Sequence, residues 1–564
     1  MRALRHASAL VRRSPARICV PGLYCLVSFV YFGLPVVAHP GSRTIGTGTD
    51  PYGFVWAFAW WPHAIGHGQN PFTTHAIWAP EGLNLTWTTS VPALALLFSP
   101  LTAAAGPLVS FNVAAILMPA LAAWTAYLLC RRLTGRLWPS LAGGYLFGFS
   151  AYTLGHEQAH LHLTAGFVVP LTALVVLGYL DGTIGARRLT AALALVLAFE
   201  LGTSTEALFT LTLAIVAATC LGFALVPSRR PALRSLARPL AAAFLIAGVL
   251  TAPFVYYAIS GFQSGAVNRT DLFPGDVLNL VVPGGLEALR GTWASRVAAH
   301  FLGNDSENVL YLGVPTLAIV CWYLIRERAR ASSRFLAAAL ALATVASLGS
   351  AVIVEGRRVG PGPWALVGHF PLFDNVITPR LAVYSALVAS VTVALWGAST
   401  RTAWTVRTVA LALAVMSLIP RAFGHSPWEV TAFTPRFFAG GGAASRCLRP
   451  GDNVLVLPNV SDALLWQAAN GFRFRLAVDD FQPLAPAGIR ERTVAVDIQR
   501  NVAPAGRGAA LLRFARANAV SEIVVVEALP GPWAAALRQV ARPIRVEGVL
   551  LYPVTPVRPG AGCA

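Results

Sequence analysis

The sequence predicts an all-α polytopic membrane protein that carries a small C-terminal α/β domain. Three observations predict it: a composition too apolar for a soluble globule, about 11 apolar runs long enough to cross a bilayer, and a change of pattern after Pro420. The 564 residues have a mean hydropathy of +0.61, and 56% are hydrophobic while only 12% are charged. Such a balance belongs to membrane proteins. All 43 basic residues are arginine, and with the abundant Ala, Gly and Pro this reads as the bias of a GC-rich bacterial genome.

A span needs about 20 apolar residues. The runs that qualify are Ile18–Val37, Leu108–Cys130, Leu137–Tyr152, Leu163–Leu180, Leu189–Gly202, Ala207–Val226, Leu240–Ile259, Val309–Ile325, Phe335–Val354, Leu381–Trp396 and Ala403–Ile419. Val91–Leu101, with Pro92 and Pro100, reads as an interfacial or re-entrant piece. No small-residue cleavage site follows the first run, so it is expected to remain as a span rather than be removed as a signal peptide. Arginine clusters border these runs: Arg2, Arg5, Arg12, Arg13 and Arg17, then Arg131/Arg132/Arg136, Arg187/Arg188, Arg229/Arg230/Arg234/Arg238, Arg326/Arg328/Arg330/Arg334 and Arg401/Arg407. Short arginine-rich loops stay in the cytoplasm. The expected topology in a bacterial inner membrane has the N-terminus inside and residues 38–90, 155–162, 261–308, 355–378 and everything after 420 outside. The net charge of +19 is thereby a set of topogenic signals, and a nucleic-acid partner is not expected.

The first outer loop, residues 39–90, opens with Thr49-Asp-Pro-Tyr-Gly-Phe-Val-Trp-Ala-Phe-Ala-Trp-Trp-Pro-His63. Tryptophan and phenylalanine favour the headgroup layer, so this run predicts a helix lying on the bilayer with the Asp50 carboxylate at its start. The bland alternative is that Asp50, standing before a proline, only caps the helix. His63 and His67 are four residues apart and would share one helix face, either lining a cleft or facing headgroups. Glu81, in Ala79-Pro-Glu-Gly82, reads as a turn residue before it reads as a catalyst.

Between two spans lies Gly155-His-Glu-Gln-Ala-His-Leu-His162. His156-Glu157-x-x-His160 matches H-E-x-x-H, which on a helix aims two imidazoles at one zinc with the glutamate as base. A zinc site needs a third protein ligand. Leu180-Asp-Gly182 resembles the corresponding motif of intramembrane zinc proteases, but Asp181 should lie about a membrane thickness away; Glu200 and Glu206 are the other candidates.

After Pro420 the pattern changes to short strands, Asn453–Pro458 and Glu522–Glu527, alternating with helix-like Ser461–Asn470 and Gly508–Asn518, and a last strand or hairpin over Arg545–Val554. The division expected is 1–420 for the membrane domain and 421–564 for an extracytoplasmic α/β domain. Cys447 and Cys563 bracket that domain and could pair in an oxidising compartment. Cys19, Cys25, Cys130, Cys220 and Cys321 lie in or beside spans and read as small hydrophobes.

Thr49-Asp-Pro51, the Trp-rich helix, Asn70-Pro-Phe72, Trp78-Ala-Pro-Glu-Gly-Leu-Asn84, Arg131-Arg-Leu-Thr-Gly135, Phe149-Ser-Ala-Tyr152, the histidine island, Leu310-Tyr-Leu-Gly-Val-Pro315 and Thr378-Pro-Arg380, in that order and spacing, resemble the GT-C superfamily, in a bacterial branch. Leu465-Trp-Gln467 and Gly471-Phe-Arg-Phe-Arg475 extend the likeness into the C-terminal domain. The resemblance implies a multi-pass glycosyltransferase that uses a polyprenyl-phosphate sugar, with Asp50 at the family's first-loop acidic position and Glu157, His156 and His160 at its second. Relatives carry paired acids at the first position, whereas Pro51 follows Asp50 here. A divalent metal is therefore a candidate cofactor rather than an expected one.

Moving a sugar off a lipid phosphate calls for a carboxylate to take the acceptor's proton and for cations to steady the departing phosphate. Arginine suits the second task through its bidentate fork. Arg380 is the first choice, followed by Arg43 and Arg269, with interfacial anchoring as the bland reading of each. The function expected is transfer of a sugar from a polyprenyl-phosphate donor to an extracytoplasmic envelope glycan or glycolipid, with Asp50 and Glu157 catalytic and His156, His160, Arg380, His63 and Glu81 binding substrate. The rivals are a zinc protease built on His156 and His160, and a non-enzymatic transporter or assembly protein for lipid-linked glycans. The duplicated halves common in transporters are not discernible.

Overall fold

A computed structural model describes residues 16–261, 271–421, 427–479, 493–504, 506–554 and 563. Arg2, Arg5, Arg12, Arg13 and Arg269, named above, lie outside the described residues. The chain divides into two compact units: Met1–Ala38, Asn112–Thr251 and Asn268–Glu429 form the first, and His39–Phe111, Ala252–Val267 and Val430–Ala564 the second. This grouping does not follow the division at 420/421, because the first loop packs with the C-terminal residues.

Six helices among the described residues are long and apolar enough to cross a membrane: Cys19–Val37, Pro107–Thr134, Leu161–Leu180, Thr205–Leu225, Pro227–Leu250 and Thr378–Ala398. Shorter apolar helices cover Val314–Arg326, Ala331–Ala346 and Trp404–Met416, and Ala186–Leu201 and Leu137–Gly148 complete the set. The departures from the expected eleven have local causes. In place of a span over Phe335–Val354, the helix stops at Ala346 and the β-branched run Ala351–Val354 pairs antiparallel with Arg357–Pro361. In place of Leu240–Ile259, one helix runs Arg230–Leu250 and a second begins at Ala252, with Pro253 at its start; proline is tolerated in a helix's first turn and not deeper. Arg230, Arg234 and Arg238 are thereby helical rather than in a loop. Val91–Leu101 forms parts of two short helices, Pro92–Leu97 and Ser99–Ala105, and not a span.

In the second unit a five-stranded sheet runs, in spatial order, Ile544–Val546, Val549–Pro553, Glu522–Val526, Asn453–Leu457 and Arg475–Leu476. Asn453–Leu457 pairs parallel with Glu522–Val526 and with Arg475–Leu476, and Val549–Pro553 returns antiparallel. The two central strands are buried along their whole length, as parallel strands covered on both faces are. Cys447 and Cys563 form a disulfide.

The Asp50–Gly66 helix belongs to this unit, and here the headgroup reading is corrected. Trp56, Phe58, Trp60 and Trp61 are at most 3% exposed, so their rings face protein. Trp56 Nε1 donates to Gln467 Oε1 at 2.7 Å, Trp60 Nε1 to Pro71 O at 3.1 Å and Trp61 Nε1 to Ser90 O at 2.9 Å. Trp56 and Trp60 stack with centroids 5.4 Å apart, and Phe472 meets both edge-on. An aromatic face with every indole N–H satisfied is a core.

Candidate functional site

Four segments of the first unit converge on one buried polar cluster. Ser150 caps the Ala151–His156 helix, and that helix ends at His156 itself. Its last turn approaches residues 305–309 so closely that a Cβ on Gly155 would stand 2.4 Å from Val309 Cγ1 and 3.0 Å from Ser306 O. Trp428 Nε1 ties down Leu154 O at 2.9 Å, and Gln158 Nε2 reaches Pro427 O. The H-E-x-x-H run is therefore a turn, closed by His160 N donating to His156 O at 2.7 Å, and not the helix the motif presumes. The turn still brings the imidazoles together, with Nδ1 atoms 3.3 Å apart.

Asn304 shapes the second segment, its side-chain oxygen accepting from Ser306 Oγ at 2.8 Å and Glu307 N at 3.1 Å. Glu206 comes from the first turn of the Thr205–Leu225 helix, which Ser204 caps. Arg380 stands in the one-turn 3-10 helix Thr378–Leu381, started by Pro379. Its Nε donates to both Glu307 oxygens at 3.1 and 3.2 Å, its Nη2 to Glu307 Oε1, and its Nη1 to Glu206 Oε2. Glu206 Oε1 also accepts from Ile377 N at 2.9 Å. One guanidinium thus joins two carboxylates far apart in sequence, and its side chain is 9% exposed.

Burial sets the protonation states around this clamp. It pushes the His156 and His160 imidazoles well below their ordinary range, with Arg380 adding to the effect, and it pushes the Glu157 carboxyl well above its own. Burial thereby biases the two imidazoles toward the neutral form and the Glu157 carboxyl toward the protonated one. Among the described residues, His156 Nε2 and both Glu157 carboxyl oxygens have no hydrogen-bond partner. Buried polar atoms are rarely left so, and such groups collect where function requires them. Beside the clamp, Tyr152, Glu200, Glu206, Thr210, Arg380 and Tyr384 line a cavity of about 20 Å³, which is room for about one water and not for a sugar.

Ligand atoms of His156, His160 and Glu307 lie within 4.8 Å of one another. His160 Nδ1 is 3.9 Å from Glu307 Oε1. Tetrahedral zinc with bonds of 2.0–2.1 Å sets its ligand atoms roughly 3.3 Å apart, so two neutral imidazoles and one carboxylate fit a divalent metal with little movement. Asp181 is not the third ligand: it pairs with Arg132 at 2.9 Å and Arg229 at 2.7 Å, at the far end of the helix that follows the histidines.

Glu206 and Glu307 complete the cluster. Glu206 had been weighed only as a metal ligand, and the signal for Glu307 is the polar tract Asn304-Asp-Ser-Glu307 just before an apolar run. The other sequence candidates belong to the second unit. Asp50 is the first residue of its helix, half-buried and followed by Pro51. His63 stacks on His67 with centroids 4.1 Å apart and lies 4.6 Å from Phe472; burial and His67 push its imidazole down. Glu81 is exposed in a turn closed by Gly82 N donating to Trp78 O at 2.9 Å, as its turn reading requires. Arg43 begins the short strand Arg43–Ile45.

Solved structures similar to it in fold include membrane glycosyltransferases of the GT-C superfamily. The arabinofuranosyltransferase AftD from Mycobacteria aligns over 96% of this chain and 40% of its own, with 15% identity and a TM-score of 0.56. The oligosaccharyltransferase of Archaeoglobus fulgidus, solved with Zn and sulfate, aligns over 90% of this chain and 67% of its own, with 14% identity and a TM-score of 0.52. The same archaeal enzyme, AglB, in complex with an inhibitory peptide and a dolichol-phosphate, aligns over 96% of this chain and 75% of its own, with 13% identity and a TM-score of 0.51. The present chain has the GT-C fold, and it spans about two fifths of the AftD length. Residues 22–421 match the family described as Domain of unknown function (DUF6311), and the chain belongs to that family. No curated protein matches it significantly.

Proposed function

We propose that this chain is an integral membrane glycosyltransferase that moves a sugar from a polyprenyl-phosphate donor to an extracytoplasmic glycan or glycolipid of the bacterial envelope. The observation that carries the reading is the buried clamp of Glu206, Arg380 and Glu307 with His156 and His160 against it, set within a GT-C fold. Asp50 is the proposed base, Glu157 a proton donor or sugar contact, and His156 and His160 line the sugar or metal site. His63 and Glu81 are substrate contacts of the first loop.

Arg380 remains the proposed phosphate-holding cation, and its present partners set a condition on that role. One guanidinium set against two carboxylates leaves the clamp itself with more acid than base, which disfavours a phosphate. His156, His160 and Glu307 would hold a divalent cation, which when bound would reverse that balance and supply Lewis-acid chemistry there. The archaeal relative solved with Zn is in keeping with this reading. What weighs against a zinc protease on the same histidines is that the H-E-x-x-H run is a turn and not the helix that motif uses to aim its glutamate.

The test is transfer by the purified protein in liposomes with a panel of polyprenyl-phosphate sugars and an envelope glycolipid acceptor. Release of polyprenyl phosphate from one donor is expected, with a loss of about a hundredfold or more in Asp50→Asn, the range a general base contributes, at unchanged elution and unfolding midpoint. A fully active Asp50→Asn removes the base assignment. A wild type silent with every donor, and equally silent as the variant, moves the protein to the class of assembly factors.

A further inference from the structure

A second binding site lies at the other end of the first unit's helices. The Ala186–Leu201 and Arg230–Leu250 helices pack side by side and start at the same end. There Thr190 Oγ1 donates to Pro239 O at 3.2 Å, and Tyr179, ending the preceding helix, donates its hydroxyl to Ser235 Oγ at 3.0 Å. Between them runs an open groove of about 1,130 Å³. Its mouth is polar, with Tyr179, Arg187, Arg234 and Arg238; its bed is apolar, with Leu195, Ile246 and Leu250 exposed.

The three arginines are exposed, and none makes an ion pair with a described carboxylate. Asp181, the nearby acid, is taken up by Arg132 and Arg229. Arg234 instead lies over the Phe223 ring, 5.4 Å from its centroid. From Arg234 to Leu250 the helix rises about 24 Å, which exceeds the roughly 15 Å of hydrocarbon in one leaflet. The groove therefore has the length, the apolar bed and the cationic mouth of a seat for one lipid whose head is anionic. Glu200, beside the catalytic cluster, stands at the opposite end of the Ala186–Leu201 helix from Arg187, about 20 Å away.

We infer that the groove between the Ala186–Leu201 and Arg230–Leu250 helices binds one anionic diacyl phospholipid, its phosphate on Arg187, Arg234 and Arg238 and a chain along Leu195, Ile246 and Leu250. By the positive-inside rule this end faces the cytoplasm, so the occupant is a structural lipid of the inner leaflet. Basic pockets between spans on that side recognise anionic heads, each arginine adding about a factor of five.

Native mass spectrometry of the full-length protein, delipidated and returned to defined lipid, reads the site. The probes are phosphatidylglycerol, phosphatidylcholine and undecaprenyl phosphate. The wild type is expected to retain one phosphatidylglycerol with about a hundredfold preference over phosphatidylcholine. The triple variant Arg187→Gln, Arg234→Gln, Arg238→Gln should lose that preference while keeping its lipid-free unfolding midpoint. Ala191→Trp, which fills the groove from an exposed position and leaves the arginines in place, should lose retention itself. Equal retention of both phospholipids by the wild type, or a preference that survives either variant, overturns the site. Displacement of phosphatidylglycerol by equimolar undecaprenyl phosphate overturns the assignment to a structural lipid. None of these readouts depends on glycosyl transfer, so they stand apart from the fate of the transferase proposal.

Discussion

The Trp-rich helix of the second unit and the histidine turn of the first are equally buried, yet they treat polar atoms in opposite ways. Along Asp50–Gly66, the indole nitrogens of Trp56, Trp60 and Trp61 each find an acceptor between 2.7 and 3.1 Å, and the remaining surface is ring against ring. In the histidine turn, both Glu157 carboxyl oxygens are buried without a partner among the described residues, and against the turn Arg380 holds two carboxylates at once. Complete satisfaction marks residues kept for folding, because each orphaned buried group costs about 1–3 kcal/mol. Residues that carry such a cost are kept for something other than stability.

Four substitutions break or sharpen that contrast. The largest effect is expected at the clamp: Arg380→Gln strands Glu206 and Glu307 and should destabilise by about 3–5 kcal/mol, read as a collapsed yield of monodisperse protein. Adding Glu206→Gln and Glu307→Gln should restore the yield; no rescue means that Arg380 serves packing instead of charge. Glu287 comes next. It is buried, and burial raises its carboxyl from 4.5 to about 7. A raised acid favours the fold below its unfolded value and withdraws that support as pH climbs from about 4.5 to 7, a swing on the order of 3 kcal/mol. The unfolding midpoint in detergent should fall over that range in the wild type and fall less in Glu287→Gln; parallel profiles remove Glu287 as the cause.

A smaller effect is expected in the satisfied region, where Trp56→Phe leaves Gln467 Oε1 without its donor at about 1–2 kcal/mol, a midpoint loss of a few degrees with transfer activity kept. The smallest is at Glu157. Burial favours the neutral form of Glu157, so Glu157→Gln should move stability by less than about 0.5 kcal/mol, while transfer should drop at least tenfold. A Glu157→Gln protein that is both stable and fully active would place that residue with the structural ones and dissolve the contrast.

Local pattern carried much of this fold into view. The strands Asn453–Leu457 and Glu522–Val526, the helices Asp462–Ala469 and Arg507–Ala517 between them and the closing hairpin were legible because apolar runs and turn residues lie next to one another in sequence. The run Ala351–Val354 was misread as the end of a span, since a short β-branched stretch has no period that separates strand from helix. At the site, Arg380 and the histidine island stood out by residue type and position. Their meaning did not, because Glu206 is 174 residues from Arg380 and Glu307 is 73. The Trp helix failed for the same reason: the acceptor for Trp56 is 411 residues away, and without it an aromatic helix and an interfacial one look alike.

The clamp also sets a schedule for how the protein is made. Glu206 leaves the ribosome 174 residues before Arg380 and Glu307 leaves 73 before it. At about 5–20 residues per second the two acids wait roughly 9–35 and 4–15 seconds for their cation. Through that interval each must stay hydrated at the membrane edge or hold a proton, because an ionised carboxylate alone in hydrocarbon is not a resting state. The helix bearing Glu206 cannot settle into its final seat until the helix bearing Arg380 arrives. Assembly of this unit is therefore gated late, and the arrival of one arginine turns a set of inserted helices into a closed bundle.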